Sequence, residues 1–425
     1  MFRRYISLYY GSIGFRESCV LFYGLISSIW QNSESRQRKV TKKVNQYYLD
    51  TEVYTYSSAR GSIAACLNAW EIGVGDKVVI SAFTCLAVPT GIIAVGATPV
   101  YADTNPLSLN NSEETLISLL DIDVKAVIVQ HTMGFAVNFL KLRELAKKKN
   151  ILIIEDCALS WGATSQGLLL GSLADAAIFS LELSKTISTG WGGVLISRND
   201  KLSKNLTEQY RNLAKPSFSR VVKEAFQTGV SGICQKPTLH WIGKYLIFVL
   251  FKLNLFKYST PLNEVYGNVA NDFKMKLGTI QLALLDVQWE KMSKIQQCSK
   301  INSDYLIKRL SGFKNFKIPH YKDIGGIVSP RISFYTQDIQ VFSEWFSSQG
   351  IEVGFWFDGP LSPSPKSERF NYDIESYPNS RDLAQHIVNL PFHNRLTKKD
   401  VKKITLLLEG FLLQYPDKDL IWLGN

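Results

Sequence analysis

The stretch Ile151–Gly193 reads ILIIEDCALSWGATSQGLLLGSLADAAIFSLELSKTISTGWGG and sets an acid, a hydroxyl and a lysine at spacings that decide the fold. Ile151–Ile154 is a short apolar run that predicts a strand, and it delivers Glu155 and Asp156 to its carboxyl end, where parallel α/β sheets gather reactive side chains. A second run, Ala176–Phe179, leads into Ser180, five residues before Lys185. Pyridoxal phosphate (PLP) needs a lysine for its Schiff base, a carboxylate beside the pyridine nitrogen and donors for its phosphate. Lys185, Asp156 and Ser180 match those three needs. Taken singly, the acid reads as readily as a helix cap and the lysine as a solvated charge.

The string D-C-A-x-S-x-G-A from Asp156, G-S-x-A-D from Gly171, F-S-x-x-x-S-K from Phe179 and G-x-G-G from Gly190 resembles the signature of the DegT/DnrJ family of sugar-nucleotide aminotransferases. The resemblance implies a fold-type I PLP enzyme: an α/β chain with a three-layer α/β/α large domain on a mainly parallel sheet, plus a small α+β C-terminal domain. Periodicity agrees for the large domain. Ser62–Trp70, Pro89–Val95 and Leu140–Lys149 read as helices, and Lys77–Ile80, Thr98–Ala102 and Val124–Val129 as strands. Strands alternating with helices predict parallel pairing through right-handed crossovers.

At 425 residues and 46% hydrophobic, the chain is long enough for two domains around large cores. Residues 1–50 read as an N-terminal arm that ends in the polar tract QNSESRQRKVTKKVNQ, a solvated connection. Residues 51–203 read as the PLP-binding domain, 204–260 as an apolar and basic insertion, 261–300 as a long linking helix region and 301–425 as the small domain. The net charge of +11 favours anionic partners, a nucleotide diphosphate or an anionic lipid, while no nucleic-acid motif appears. Six cysteines without CxxC spacing read as reduced thiols of a cytoplasmic protein, and the five histidines show no metal-ligand pairing.

The segment Trp241–Phe256, WIGKYLIFVLFKLNLF, is too short in its uncharged run to span a bilayer, since spanning takes about 20 residues. Lys244, Lys252 and Lys257 beside its aromatic residues suit peripheral contact with an anionic membrane, and internal packing is the other reading. Near the N-terminus the apolar stretch Cys19–Trp30 is separated from the basic start by Arg16 and Glu17, which argues against a secretory signal.

The family resemblance also assigns roles. Ser58-Ala59-Arg60-Gly61 stands where relatives place a phosphate-binding turn; backbone N–H groups at a helix N-terminus would hold the phosphate, and Gly61 would allow its close approach. Arg60 is either a further phosphate contact or a solvent-facing arginine. Cys85 stands where relatives carry an aromatic side chain stacked on the cofactor ring, Leu159 where a Gln or His touches the ring hydroxyl, and Trp191 where an acid precedes the paired glycines. Asn271 and Lys274 stand for an N-x-R element that reaches the neighbour's site in a homodimer. The implied reaction takes an amino group from glutamate and gives it to a keto-sugar, nucleotide-linked. Its rivals are another PLP reaction, such as a dehydration, and a non-catalytic assembly protein at a membrane. Dehydratase relatives replace the lysine by histidine, and Lys185 argues against them.

Overall fold

The computed structural model describes residues 5–8, 13–27, 33–269, 271–318, 326–357 and 359–423. Seven strands form the main sheet: β1 (Glu52–Tyr56), β2 (Lys77–Ser81), β3 (Thr98–Ala102), β4 (Val124–Gln130), β5 (Leu152–Asp156), β6 (Ala176–Ser180) and β7 (Gly193–Ser197). Their spatial order is β1-β7-β6-β5-β4-β2-β3, and β7 alone runs against the rest. Both faces are covered, as the near-continuous apolar strands require. Val78, Ile80, Ile128 and Ile154 join one core with Ile63 and Leu67 of helix Ala59–Ala69. Val79, Val127, Val129 and Ile153 point the other way, to Leu142 and Ala146 of helix Leu140–Lys149. This is the three-layer α/β/α arrangement that the alternation predicts.

A second sheet of four strands lies in the C-terminal part: β8 (Phe316–Lys317), β9 (Arg331–Tyr335), β10 (Ile387–Pro391) and β11 (Leu420–Trp422), in the order β8-β11-β9-β10. Phe334 and Trp422 pack there with Phe342 and Phe346 of helix Ile339–Ser348 and with Leu408 and Phe411 of helix Lys398–Gln414. The capping box Thr397/Asp400 starts the latter helix, each side chain bonding the other's backbone.

Three expectations change. The tract expected to be a solvated connection is the helix Ser33–Val44, because Val40 and Val44, four apart, form an apolar stripe against the large domain. Lys43, at the edge of that stripe, pairs with Asp286 at 2.6 Å. The boundary near 203 cuts helix Asp200–Arg211, whose Leu202 and Leu206 belong to the large-domain core. The long linking helix is two, Thr279–Trp289 and Met292–Leu310, and the second runs through the boundary at 301 into the small domain.

Candidate active site

The parallel strands converge at their carboxyl ends on a cavity of about 430 Å3, where Asp156 leaves β5 and Ser180 ends β6. Ser58, Ala59, Arg60, Cys85 and Lys185 also line it, so residues more than 120 positions apart meet in one place. A larger cavity of about 780 Å3 lies beside helix Ser33–Val44, but no lysine in its wall is buried. Size alone does not locate the site.

Helix Ala59–Ala69 opens at the cavity with Ser58 as its cap; Ser58 Oγ accepts the Gly61 N–H at 3.2 Å. The remaining N–H groups of that first turn face a natural anion position, strengthened by the helix dipole. Two glycines allow the turn to sit there. A Cβ on Gly193 would fall 2.6 Å from Ala59 Cα, so only hydrogen lets β7 pass under the helix start. Gly192, at φ +128°, bridges to Ser58. The bareness of Gly61 serves a different neighbour from the expected phosphate, since its Cβ would meet Phe273 O at 2.9 Å.

Asp156 and Lys185 are both buried, and each is shifted toward its neutral form. Burial pushes the Asp156 carboxyl up, opposed by the Ala158 N–H at 2.9 Å and by the charges of Lys185 and His131. Burial also pulls the Lys185 amine down, opposed by Glu182, Cys85 and Asp156, while Arg331 adds to the fall. A cavity with a nascent amine nucleophile opposite a carboxylate, and with a helix N-terminus and a hydroxyl for an anion, fits the donor set that PLP requires. Lys185 Nζ lies 4.7 Å from the ring centroid of Trp356, and the Arg331 guanidinium 4.5 Å from the same ring.

Arg60 is not the solvent-facing arginine of one expectation. It is buried, its Nε pairs with Glu264 at 3.0 Å, and one of its terminal nitrogens donates to Ser259 O at 2.8 Å. Two of its three nitrogens are thus held by Ser259 and Glu264, while the side chain still lines the cavity. Cys85 does line the cavity, and burial pushes its thiol up. Its strand segment is held by the small domain: Thr84 N–H donates to Pro360 O at 2.9 Å and Leu86 N–H to Ser362 O at 2.7 Å. Leu159 points away from any polar task, into an apolar cluster with Phe83, Met133 and Phe357. Lys274 is exposed on the 3-10 turn Asn271–Lys274 and lies outside this chain's cavity; the Asn271 side chain is outside the described part.

Glu182, Tyr258, Arg331 and Trp356 line the cavity without having been singled out in the sequence. Arg331 opens the run RISFY, and a charged residue at the start of an otherwise apolar strand is the one local sign that could have marked it. Behind the cavity, His131 and Glu155 form a buried pair at 3.0 Å. Val137 N–H donates to His131 Nδ1, so Nε2 donates to Glu155, which also accepts from Gly171, Leu173 and Ala174. Cys157 approaches the pair closely enough to complete a three-ligand set, but histidine and carboxylate are already occupied by each other and by the backbone. Burial works against the Glu155 charge, and the His131 bond and backbone donors more than offset it, holding its carboxyl below the usual range.

Solved structures share this architecture. The aminotransferase TlmJ from Streptoalloteichus hindustanus superposes with a TM-score of 0.70 over 98% of this chain and 100% of its own, at 16% identity. DesI, solved in the presence of its TDP-sugar product, gives 0.69 over 96% and 93% at the same identity. At such identities the likeness establishes the fold, that of the fold-type I PLP aminotransferases. Among curated sequences, L-glutamine:2-deoxy-scyllo-inosose aminotransferase of Streptomyces kanamyceticus is 28% identical over 198 residues, 45% of this chain and 46% of its own length. GDP-perosamine synthase of Caulobacter vibrioides is 36% identical over 137 residues, 32% and 37% respectively. The chain thus spans less than half the length of these curated relatives. The model of the DegT/DnrJ/EryC1/StrS aminotransferase family matches residues 22–409, nearly the whole chain, and the protein belongs to that PLP-dependent family.

Proposed function

We propose that this chain is an aminotransferase that takes an amino group from an amino acid, glutamate as first choice, and passes it to a nucleotide-linked keto-sugar. One observation carries the reading: Lys185 and Asp156, both shifted toward neutrality, line one cavity with Ser180 and the capped start of helix Ala59–Ala69. When bound, PLP supplies an electron sink for the carbon that loses or gains the amino group. Asp156 offers a carboxylate to a cationic ring nitrogen. The Ala59–Arg60 backbone and Ser180 Oγ offer donors to the phosphate. Lys185 Nζ, whose hold on its proton burial weakens, would move the proton to and from the reacting carbon. Arg331 faces the cavity from the small domain and presents a planar guanidinium to the donor's carboxylate.

Purified chain mixed with PLP should acquire a yellow, borohydride-bleachable chromophore that Lys185→Ala removes, and glutamate should discharge it. A colourless Lys185 chain, or colour unaffected by the substitution, would refute the proposal. Homodimerisation is part of the same reading, because exposed Lys274 can meet a cofactor cavity only in a second copy; a monomer by light scattering at micromolar concentration would remove that role.

A second reading concerns where the chain works. Among the described residues no helix is long and apolar enough to cross a membrane. Helix His240–Lys252 nevertheless buries only His240 and Gly243 and leaves Trp241, Ile242, Tyr245 and Phe248 exposed. From Lys236 to Asn263 there are four lysines and no acid. That composition suits the headgroup layer of an anionic leaflet. Flotation with phosphatidylserine vesicles but not with neutral ones would support it, and loss of neither on deleting 241–256 would exclude it.

A further inference from the structure

The cavity of about 780 Å3 beside helix Ser33–Val44 shares no residue with the cofactor cavity, and its wall is basic. Arg38, Arg211, Lys215 and Lys276 line it, with Glu34 as the one acid among the described residues. None of the four cations forms an ion pair with a described residue. Two of them crowd each other: burial and the Lys215 charge both pull the Lys276 amine below its usual range, opposed by Glu34. Lys276 Nζ lies 4.8 Å from the ring centroid of Tyr210 and donates to Arg211 O at 3.4 Å, which holds it in the wall. Two helices also begin here. Ser33 and Glu34 open helix Ser33–Val44, and Thr279 opens helix Thr279–Trp289, whose cap, Gly278, has no side chain to take up the first N–H groups. The positive ends of both dipoles therefore add to the four side chains.

One edge of this cavity reaches the cofactor cavity through the backbone. Lys276 bridges to Tyr56, Leu277 N–H donates to Thr55 O at 3.1 Å, and Ser57 N–H donates to Met275 O at 3.0 Å. Ser57 and Ser58 then stand in the cofactor-cavity wall. Leu277 also packs on Gly192, where a Cβ would fall 2.5 Å from its Cδ1.

We propose that this basic cavity is an effector site for a small molecule carrying two or more phosphates, which acts on the cofactor cavity through Met275–Leu277. Four cations against one acid, with two helix starts beside them, fit a polyanion better than a neutral molecule. A volume within the roughly 300–1,000 Å3 of ligand pockets holds a phosphate chain with an uncharged remainder, for which Val221, Leu277 and Leu282 supply apolar wall. Bound phosphates separate Lys215 from Lys276 electrostatically and fix the segment that holds Ser57, so the cofactor is held more tightly. That second half rests on reading the neighbouring cavity as the cofactor site; the anion site itself does not.

Calorimetric titration with tripolyphosphate and with ATP, on the chain with and without PLP, tests the site. Both should bind, and Arg211→Ala with Lys215→Ala should weaken each about 10-fold or more at low salt, with the melting midpoint as in the parent. ATP binding tighter than tripolyphosphate makes the remainder a nucleoside; equal affinities make the phosphate chain itself the ligand. Saturating tripolyphosphate should also tighten PLP binding, read from the chromophore, about 5-fold or more in the parent and not in the double variant. Anion binding that is absent, or equal in parent and double variant, overturns the site, and anion binding without effect on PLP overturns the effector role. A chain that binds tripolyphosphate through Arg211 and Lys215 yet takes up no PLP refutes the catalytic reading and leaves the anion site standing.

Discussion

The cavity around Lys185 is lined by buried charged groups, whereas helix His240–Lys252 buries none of its large apolar side chains. Lys185, Asp156 and Arg331 are 9%, 6% and 2% accessible, against 58% for Trp241 and 71% for Tyr245. In the first region the fold holds charged groups out of water, the condition under which their proton affinities shift. In the second, apolar surface is left in water with few internal contacts, and its free energy is available only to something that covers it. The two proposals therefore rest on opposite departures from the ordinary rule of burial.

The largest expected effect tests the first side. On the proposed reading Lys185→Met should lower amino transfer by at least about 10^3-fold, because no other lysine lines the cavity to take over attack and proton transfer. The same change should raise the stability of the cofactor-free chain by about 1–2 kcal/mol in denaturant melts, since an under-compensated buried cation is replaced by apolar volume. The pH dependence carries the sign. The folded pKa of Lys185 is depressed, so the unfolded chain binds more protons between that value and about 10.4, and stability rises with pH across this window. The cost is fully present below the folded pKa. Melts of parent and Lys185→Met chains should therefore converge as pH approaches 10; parallel curves would show that the amine is not desolvated.

The next effect is steric. Gly193→Val places a Cβ 2.6 Å from Ala59 Cα, against backbone that cannot yield without moving the helix start. A loss of about 1–3 kcal/mol is expected, together with weaker PLP retention on gel filtration. A destabilised variant that keeps PLP as tightly as the parent would separate the glycine pair from the phosphate cradle.

How much of this was legible follows from the same contrast. The sheet could be read because strands buried on both faces are apolar runs, and Asp156, Ser180 and Lys185 because their spacing is local. Arg331 and Trp356 could not, since one reaches the cavity from the second sheet and the other from a bend in the C-terminal part, and nothing near them in sequence reports the distance. The helix Ser33–Val44 was hidden by its charge: two valines suffice to anchor it, too few to stand out among five lysines and arginines. Arg60 showed its place in the turn but not its partner, because Glu264 lies 204 positions away.

Leu159 sharpens the comparison from within the site. It fills an apolar cluster with Phe83, Met133 and Phe357, where its relatives' glutamine would have no partner in sight. Leu159→Gln should cost about 1–2 kcal/mol and not tighten PLP binding, measured by denaturant midpoint and by titration of the chromophore. Tighter binding would mean that the cluster opens toward the cofactor and that the site was read too narrowly.

The smallest effect belongs to the exposed helix. Replacing Trp241 and Ile242 together by serine removes mostly exposed apolar surface, with the ring contacts of Trp241 to Tyr5 and His240 the main internal loss, so stability should fall by no more than about 1 kcal/mol. Chromophore and turnover should also stay as in the parent, while binding to anionic vesicles falls. The two halves of the result have to come together. Were the double variant to lose several kcal/mol instead, the helix would be packing against another copy of the chain under the assay conditions, because water-exposed side chains cannot lose contacts that the monomer does not make. Concentration dependence of the melting midpoint in the parent then identifies that second copy, since a dimer-stabilised fold melts higher as protein concentration rises and a lipid-facing surface on a monomer does not.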